Sequence, residues 1–152
     1  PFIYEHPVYW QKIQEETKGS GDIERSTCLF IDSENAREHT EEEMISVENI
    51  KGRLFLVGAE DDSFWETGKY IRRMDERLKE CPHTCEYVPL VYEHGTHFVL
   101  PESLLRKALP VGLKFVMRFI FKAAKEYPNE CEKTRKDIDR KLSAALKEWR
   151  EE

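Results

Sequence analysis

The sequence predicts an α/β fold with a few parallel strands flanked by helices. Two observations carry this. Arg53-Leu54-Phe55-Leu56-Val57-Gly58 is apolar without alternation, the pattern of a strand buried on both faces of a parallel sheet. A helical stripe and a second apolar run follow it, and the order strand–helix–strand predicts a right-handed crossover between parallel partners.

Before that strand the chain is mixed. Tyr4, Val8, Tyr9, Trp10 and Ile13 give way to Lys18-Gly19-Ser20-Gly21-Asp22, a loop by its Gly and Ser content. Thr27 to Ile31 read as a short strand or a buried extended segment. Glu34 to Ile45 read as a helix, with Ser33 as N-cap and Ala36, Thr40 and Met44 at helical spacing. Glu41-Glu42-Glu43 reads as its solvated face.

After the strand, Glu60-Asp61-Asp62-Ser63 reads as an acidic turn. A helix is expected from Glu66 to Lys79, with Tyr70, Ile71, Met74 and Leu78 as its apolar stripe. Cys81 to Cys85 read as a loop, and Glu86 to Tyr92 as the second strand. Pro89 places that strand at a sheet edge, because proline cannot donate to a ladder. Two helices complete the expected order. The first spans Val111 to Glu126, with Phe115, Val116, Phe119, Ile120 and Ala123 on one face and Lys114, Arg118 and Lys122 on the other. The second spans Glu130 to Glu151, with Ile138, Leu142, Ala145, Leu146 and Trp149 on one stripe, and Pro128 separates the two.

The chain has 152 residues, which predicts a single domain over 1–152. Charged residues reach 36%, against about 25% in typical proteins. The net charge of -6 argues against a nucleic-acid partner. No apolar run is long enough to span a bilayer, so no membrane partner is expected. No signal peptide is evident in Pro1 to His6, which predicts a cytoplasmic protein. The chain does not begin with Met, consistent with processing or with a start inside a longer gene.

The four cysteines do not form a disulfide framework. Cys28 reads as a small buried hydrophobe. Cys81, His83 and Cys85 lack the second ligand pair that a zinc site needs, and Cys131 alone does not supply it. Neither a metal nor another cofactor is expected.

The candidate chemistry lies at two strand ends. Ligands of open α/β sheets sit beyond the carboxyl ends of the strands. Gly58 to Trp65 follow the first strand, and Tyr92 to Phe98 follow the second. A carboxylate and a histidine on adjacent parallel strands can hydrogen-bond at that edge. This is the acid–histidine half of a nucleophilic triad. Asp-rich turns are also common, and many loop histidines are only solvated.

Val47-Glu48-Asn49-Ile50-Lys51-Gly52 leads into the first strand, Glu60-Asp61-Asp62 and Trp65 follow it, and Tyr92 and Gly95-Thr96-His97 close the second. Over about residues 45 to 100 this pattern resembles the α/β-hydrolase superfamily. Within it, the closest resemblance is to the C-terminal domain of the acyl-CoA thioesterase and bile acid-CoA:amino acid N-acyltransferase family. The resemblance implies the C-terminal portion of an α/β-hydrolase fold. It implies that Asp62, three before Trp65, is the acid and that His97 is the catalytic histidine. Asp61 is the alternative acid, and His94 competes with His97 at a spacing from Tyr92 that does not fit. The implied substrate is an acyl ester or acyl-CoA, met by hydrolysis or by transfer to an amine.

Two departures stand out. Thr96 occupies the position where the family usually has Gly. No Gly-x-Ser-x-Gly elbow for the nucleophile occurs in the 152 residues. Gly19-Ser20-Gly21 lacks a preceding strand, and Cys28 lacks flanking glycines. The resulting expectation is the acid–histidine part of an ester or thioester hydrolase, inactive alone because its nucleophile lies upstream. The alternative is a non-catalytic truncated hydrolase that serves as an interaction or oligomerisation module. The basic stripe Lys114, Arg118 and Lys122, with Arg106, Lys107 and Lys125, would face CoA phosphates, an anionic surface or simply water. Few strands leave exposed edges, so a homo-oligomer or a helix-covered sheet is expected.

Overall fold

Arg53–Ala59 (β1) and Glu86–Tyr92 (β2) form a two-stranded parallel sheet, with Arg53 opposite Glu86 and Ala59 opposite Tyr92. The computed structural model describes residues 40–151. The helices are Thr67–Glu80 (α1), Glu102–Ala108 (α2), Leu113–Ile120 (α3), Lys122–Glu126 (α4) and Pro128–Glu151 (α5). Short 3-10 turns cover Glu41–Glu43 and Val47–Asn49. Among the described residues no helix is long and apolar enough to cross a membrane.

The strand–helix–strand unit follows the sequence pattern within a residue or two. In α1, Ile71 and Leu78 are buried and Tyr70 and Met74 half-buried, so the anticipated stripe faces the sheet. Gly58 permits the close approach of this helix. A Cβ there would lie 2.8 Å from the Thr67 carbonyl carbon. One core cluster joins Val47, Leu78 and Cys85 to Leu54, Leu56, Met74 and Tyr87. The lead-in turn is tied to α1 by a bidentate pair, Arg77 Nε to Glu48 at 2.6 Å and Nη2 at 2.8 Å. Pro89 is exposed and lies opposite Leu56.

Outside this unit the chain departs from expectation in three places. Residues 101–110 contain the unanticipated helix α2, held to α5 by a buried ion pair between Glu102 and Arg135 at 2.8 Å. The anticipated helix Val111–Glu126 is broken at Phe121, whose backbone is extended (φ -115°, ψ 126°). The break places the Phe121 ring in the core, edge-on to Phe64 at 5.6 Å and to Phe98 at 5.4 Å. The buried stripe is therefore Leu113, Met117, Phe121 and Ala124, whereas Phe115 and Phe119 are exposed. A helix apolar on more than one face does not reveal which face docks, and the aromatic pocket around Phe121 decides it. Finally, Met44 and Ile45 are not helical. The remainder of the helix expected over 34–45, its cap Ser33, the segment Thr27–Ile31, Cys28 and the 18–22 loop lie outside the described residues.

Helix α5 begins at Pro128, where a proline costs no hydrogen bond. The anticipated stripe is buried at Ile138 and Ala145, half-buried at Leu142 and Trp149, and exposed at Leu146. It also anchors the sheet, because the Tyr92 hydroxyl donates to Asp137 at 2.8 Å.

Candidate acid–histidine site

The parallel register brings the carboxyl ends of β1 and β2 to one edge, and the Glu60 N–H extends the ladder by donating to the Tyr92 carbonyl at 2.8 Å. The two following loops therefore leave the sheet side by side. Two Asp–His pairs form between them.

Asp62 has a fully buried side chain. Its Oδ1 accepts from the Phe64 and Trp65 amides at 3.0 and 3.2 Å, and its Oδ2 accepts from the Thr67 hydroxyl at 2.8 Å. The turn onto its own following amides suits Asp. His97 Nδ1 lies 3.1 Å from Oδ2 and 3.2 Å from Oδ1. Four donor groups thus converge on one buried carboxylate, the satisfaction that such a group requires.

The His97 ring is flanked by Phe64 at 5.1 Å, Trp65 at 5.0 Å and Phe98 at 5.8 Å between centroids. With Nδ1 taken by Asp62, Nε2 is the nitrogen open to other chemistry; no hydrogen bond engages it among the described residues. The imidazole keeps 26% exposure, enough for a reacting group to reach it. Trp65 is 46% exposed, so it is a wall of the site and not a core residue.

Asp61 holds the other loop. Its Oδ1 accepts from the Gly95 and Thr96 amides at 2.9 and 2.8 Å, and its Oδ2 faces His94 Nδ1 at 3.2 Å. His94 stacks on Tyr127 at 3.8 Å with the rings 9° apart, and its carbonyl accepts from the Thr134 hydroxyl at 2.5 Å. This pair thus helps to fix the loop that carries His97, and His94 Nε2 lies 3.8 Å from the Glu93 carboxylate. Gly95 is needed there, since a Cβ would lie 2.5 Å from Val99 Cγ1.

Thr96 is fully buried and has φ of 62°, a left-handed backbone that glycine adopts freely and a β-branched residue adopts under strain. Here the two Asp61 hydrogen bonds, together with Thr96 Oγ1 accepting from the Phe98 amide at 3.2 Å, offset the strain.

Two nearby groups are not set up as nucleophiles. Ser63 Oγ is buried and has no hydrogen-bond partner, so no base engages it. Burial, aided by the negative charge of Asp61, pushes the Cys131 thiol up to about 11, which keeps it protonated and unreactive near neutrality. Among the described residues no group of three or more His, Cys, Asp or Glu is arranged to hold a metal ion. His83 Nδ1 instead approaches the Cys85 carbonyl at 3.0 Å.

Sequence reasoning singled out Asp62, His97, Asp61 and His94, and these four meet at one edge. It missed Thr67, Phe64 and Phe98. Thr67 had a signal, a hydroxyl residue at the start of a helix that follows an acidic turn.

Residues 8–103 match the family described as BAAT / Acyl-CoA thioester hydrolase C terminal. The chain belongs to this family. The match takes in β1, α1, β2 and both Asp–His pairs and ends at the start of α2, leaving α3 to α5 beyond it. No curated protein and no solved structure matches the chain. The lead-in Val47-Glu48 acquires a physical role within this thioester hydrolase domain. Val47 is buried and Glu48 pairs with Arg77, which fixes the start of β1 against α1.

Proposed function

We propose that the chain carries the acid and base of an acyl-transfer site in the C-terminal part of an α/β-hydrolase. The substrate is an acyl ester or an acyl-CoA thioester. Asp62 is the orienting acid and His97 the general base. The carrying observation is the contact of His97 Nδ1 with the buried Asp62 carboxylate, in a chain of the acyl-CoA thioester hydrolase family.

The chemistry follows from that contact. Asp62 holds the proton on Nδ1, which leaves the Nε2 lone pair as the base. Nε2 takes the proton of an attacking hydroxyl or thiol as the bond to the acyl carbonyl forms. The imidazolium is stabilised by the Asp62 charge, and it returns that proton to the departing CoA sulfur or alcohol oxygen. Water or an amine then releases the acyl group by the same proton relay in reverse. The aromatic walls Phe64, Trp65 and Phe98 offer an apolar surface for the acyl chain.

The nucleophile is assigned to polypeptide outside these residues, because the 152 residues hold no Gly-x-Ser-x-Gly elbow and Ser63 and Cys131 are unsuited. Acyl-CoA hydrolysis by the chain alone, read by thiol release, should not exceed the buffer rate. Turnover that His97→Ala abolishes would overturn this division. Where the chain is joined to an elbow, His97→Gln should lower kcat by on the order of 10⁴-fold or more, with little change in KM.

A second reading is favoured by the two-stranded sheet itself. Each strand has one edge unpaired within the described residues, and such edges recruit further strands. Pairing with a second copy would make this chain an association module. A monomer in size-exclusion chromatography contradicts it.

A further inference from the structure

We propose that the outer face of α3 docks on an anionic lipid surface. Phe115 and Phe119, one helical turn apart, are 76% and 83% exposed, and Val111 on the preceding turn is 89% exposed. The opposite face of α3 is already buried through Leu113 and Met117. A row of large apolar side chains left in water marks an interaction surface, unlike singly scattered ones.

The charge distribution selects the occupant. Residues 103–125 contain six Lys or Arg and no Asp or Glu, in a chain of net charge -6, and three of the six, Arg106, Lys114 and Lys122, pair with Glu102, Glu132 and Glu126. All the excess negative charge therefore lies elsewhere. Arg118 sits between the two phenylalanines in sequence, and Lys107, Arg118 and Lys125 are exposed. An apolar stripe flanked by Lys and Arg is the pattern of a helix lying in a membrane interface, with its apolar side about 5–10 Å into the headgroup boundary. The long basic side chains reach outward to lipid phosphates. The absence of a spanning segment, on which the expectation of no membrane partner rested, does not bear on this mode.

The location gives the docking a use. Phe121, directly after α3, packs on Phe64 and Phe98, and both of these touch the His97 ring. A lipid-docked α3 would set the site beside a reservoir of acyl chains, a consequence that rests on the function proposed above. The docking itself does not.

Flotation of the 152-residue chain with two vesicle preparations tests the proposal. One is phosphatidylcholine mixed with phosphatidylserine, and the other is phosphatidylcholine alone. Binding to the mixed vesicles only, weakening as salt is raised, is expected. The double variants Phe115→Ser/Phe119→Ser and Lys107→Glu/Arg118→Glu should each lower binding at least ~10-fold, with unchanged far-UV circular dichroism. Failure of the wild type to bind mixed vesicles would overturn the proposal, whatever the fate of the variants. So would equal binding to both preparations. A dimer dispersed by Phe115→Ser/Phe119→Ser without vesicle binding would assign the face to a second copy. Binding of soluble coenzyme A without vesicle binding would assign the charge to CoA. Either result overturns the lipid assignment.

Discussion

His97 Nδ1 and Asp62 Oδ2 are 35 residues apart in sequence and 3.1 Å apart in space. The parallel register of β1 and β2 closes that separation, and Asp61 keeps it closed by holding the backbone of Gly95 and Thr96. The adjacent aspartates thus serve two purposes. One fixes the loop and the other meets the imidazole that the loop delivers.

Removing the Asp62 carboxylate should be costly. Asp62→Ala removes the acceptor of the Phe64 and Trp65 amides and the partner of His97 Nδ1, and leaves the Thr67 hydroxyl only its 3.4 Å approach to the Ala59 carbonyl. A loss on the order of 3 kcal/mol in urea denaturation is expected. Asp62→Ala with wild-type stability would show that the observed convergence of donors is not energetically real.

Glu102 is the second sensitive position. Its side chain and that of Arg135 are 7% and 3% exposed, so Glu102→Ala leaves a buried guanidinium uncompensated. A loss of about 3–5 kcal/mol is expected, with α2 the first element to lose amide-exchange protection. Replacing both residues with apolar side chains should recover most of it.

Acid should unfold the protein through identifiable carboxylates. The Arg77 guanidinium holds Glu48 down from 4.5 to about 2, and the Lys114 and Lys136 ammonium groups do the same for Glu132. Asp137 is likewise held well below its usual range by Lys141, Arg140 and the Tyr92 hydroxyl. Each folded-state value lies below the unfolded one, so the unfolded chain takes up protons first as pH falls. Stability from these pairs is complete above about 4.5 and is lost as pH falls toward about 2. Glu132→Gln should flatten the loss in that window in acid titrations followed by circular dichroism, and salt should diminish the wild-type effect. An identical acid profile for Glu132→Gln would contradict the assignment.

Thiol labelling should separate the cysteines. Cys131 is buried with its thiol pushed up to about 11, while Cys81 is partly exposed. Iodoacetamide at neutral pH should modify Cys81 well before Cys131, as read by peptide mass mapping. Early modification of Cys131 would mean that the α4–α5 packing opens readily.

Much of the sheet and the site was legible because local signals agreed. The unbroken apolar run at Arg53–Gly58, the acidic turn and the second run ending at Tyr92 each carry their own pattern, and a parallel pair must bring both loops to one edge. The helical half was less legible. Leu113, Met117 and Phe121 compete with Phe115 and Phe119 for the core, and only the tertiary pocket between Phe64 and Phe98 breaks the tie. Helix α2 spans seven residues, too short for a clear period, and it is held by ion pairs that no local pattern announces. Asp61 and Asp62 could not be told apart from local pattern, because neighbouring carboxylates look alike until the backbone sends them to different partners, here His94 and His97.

The most direct test is the protonation of the His97 ring, read by nitrogen-15 NMR on the imidazole. The expected result is a proton on Nδ1, donated to Asp62, with Nε2 as the basic nitrogen. Asp62→Asn should disturb this tautomer and leave the His94 signals unchanged. A wild-type ring protonated on Nε2, or one indifferent to Asp62→Asn, would contradict the claim that Asp62 and His97 form the acid and base of an acyl-transfer site.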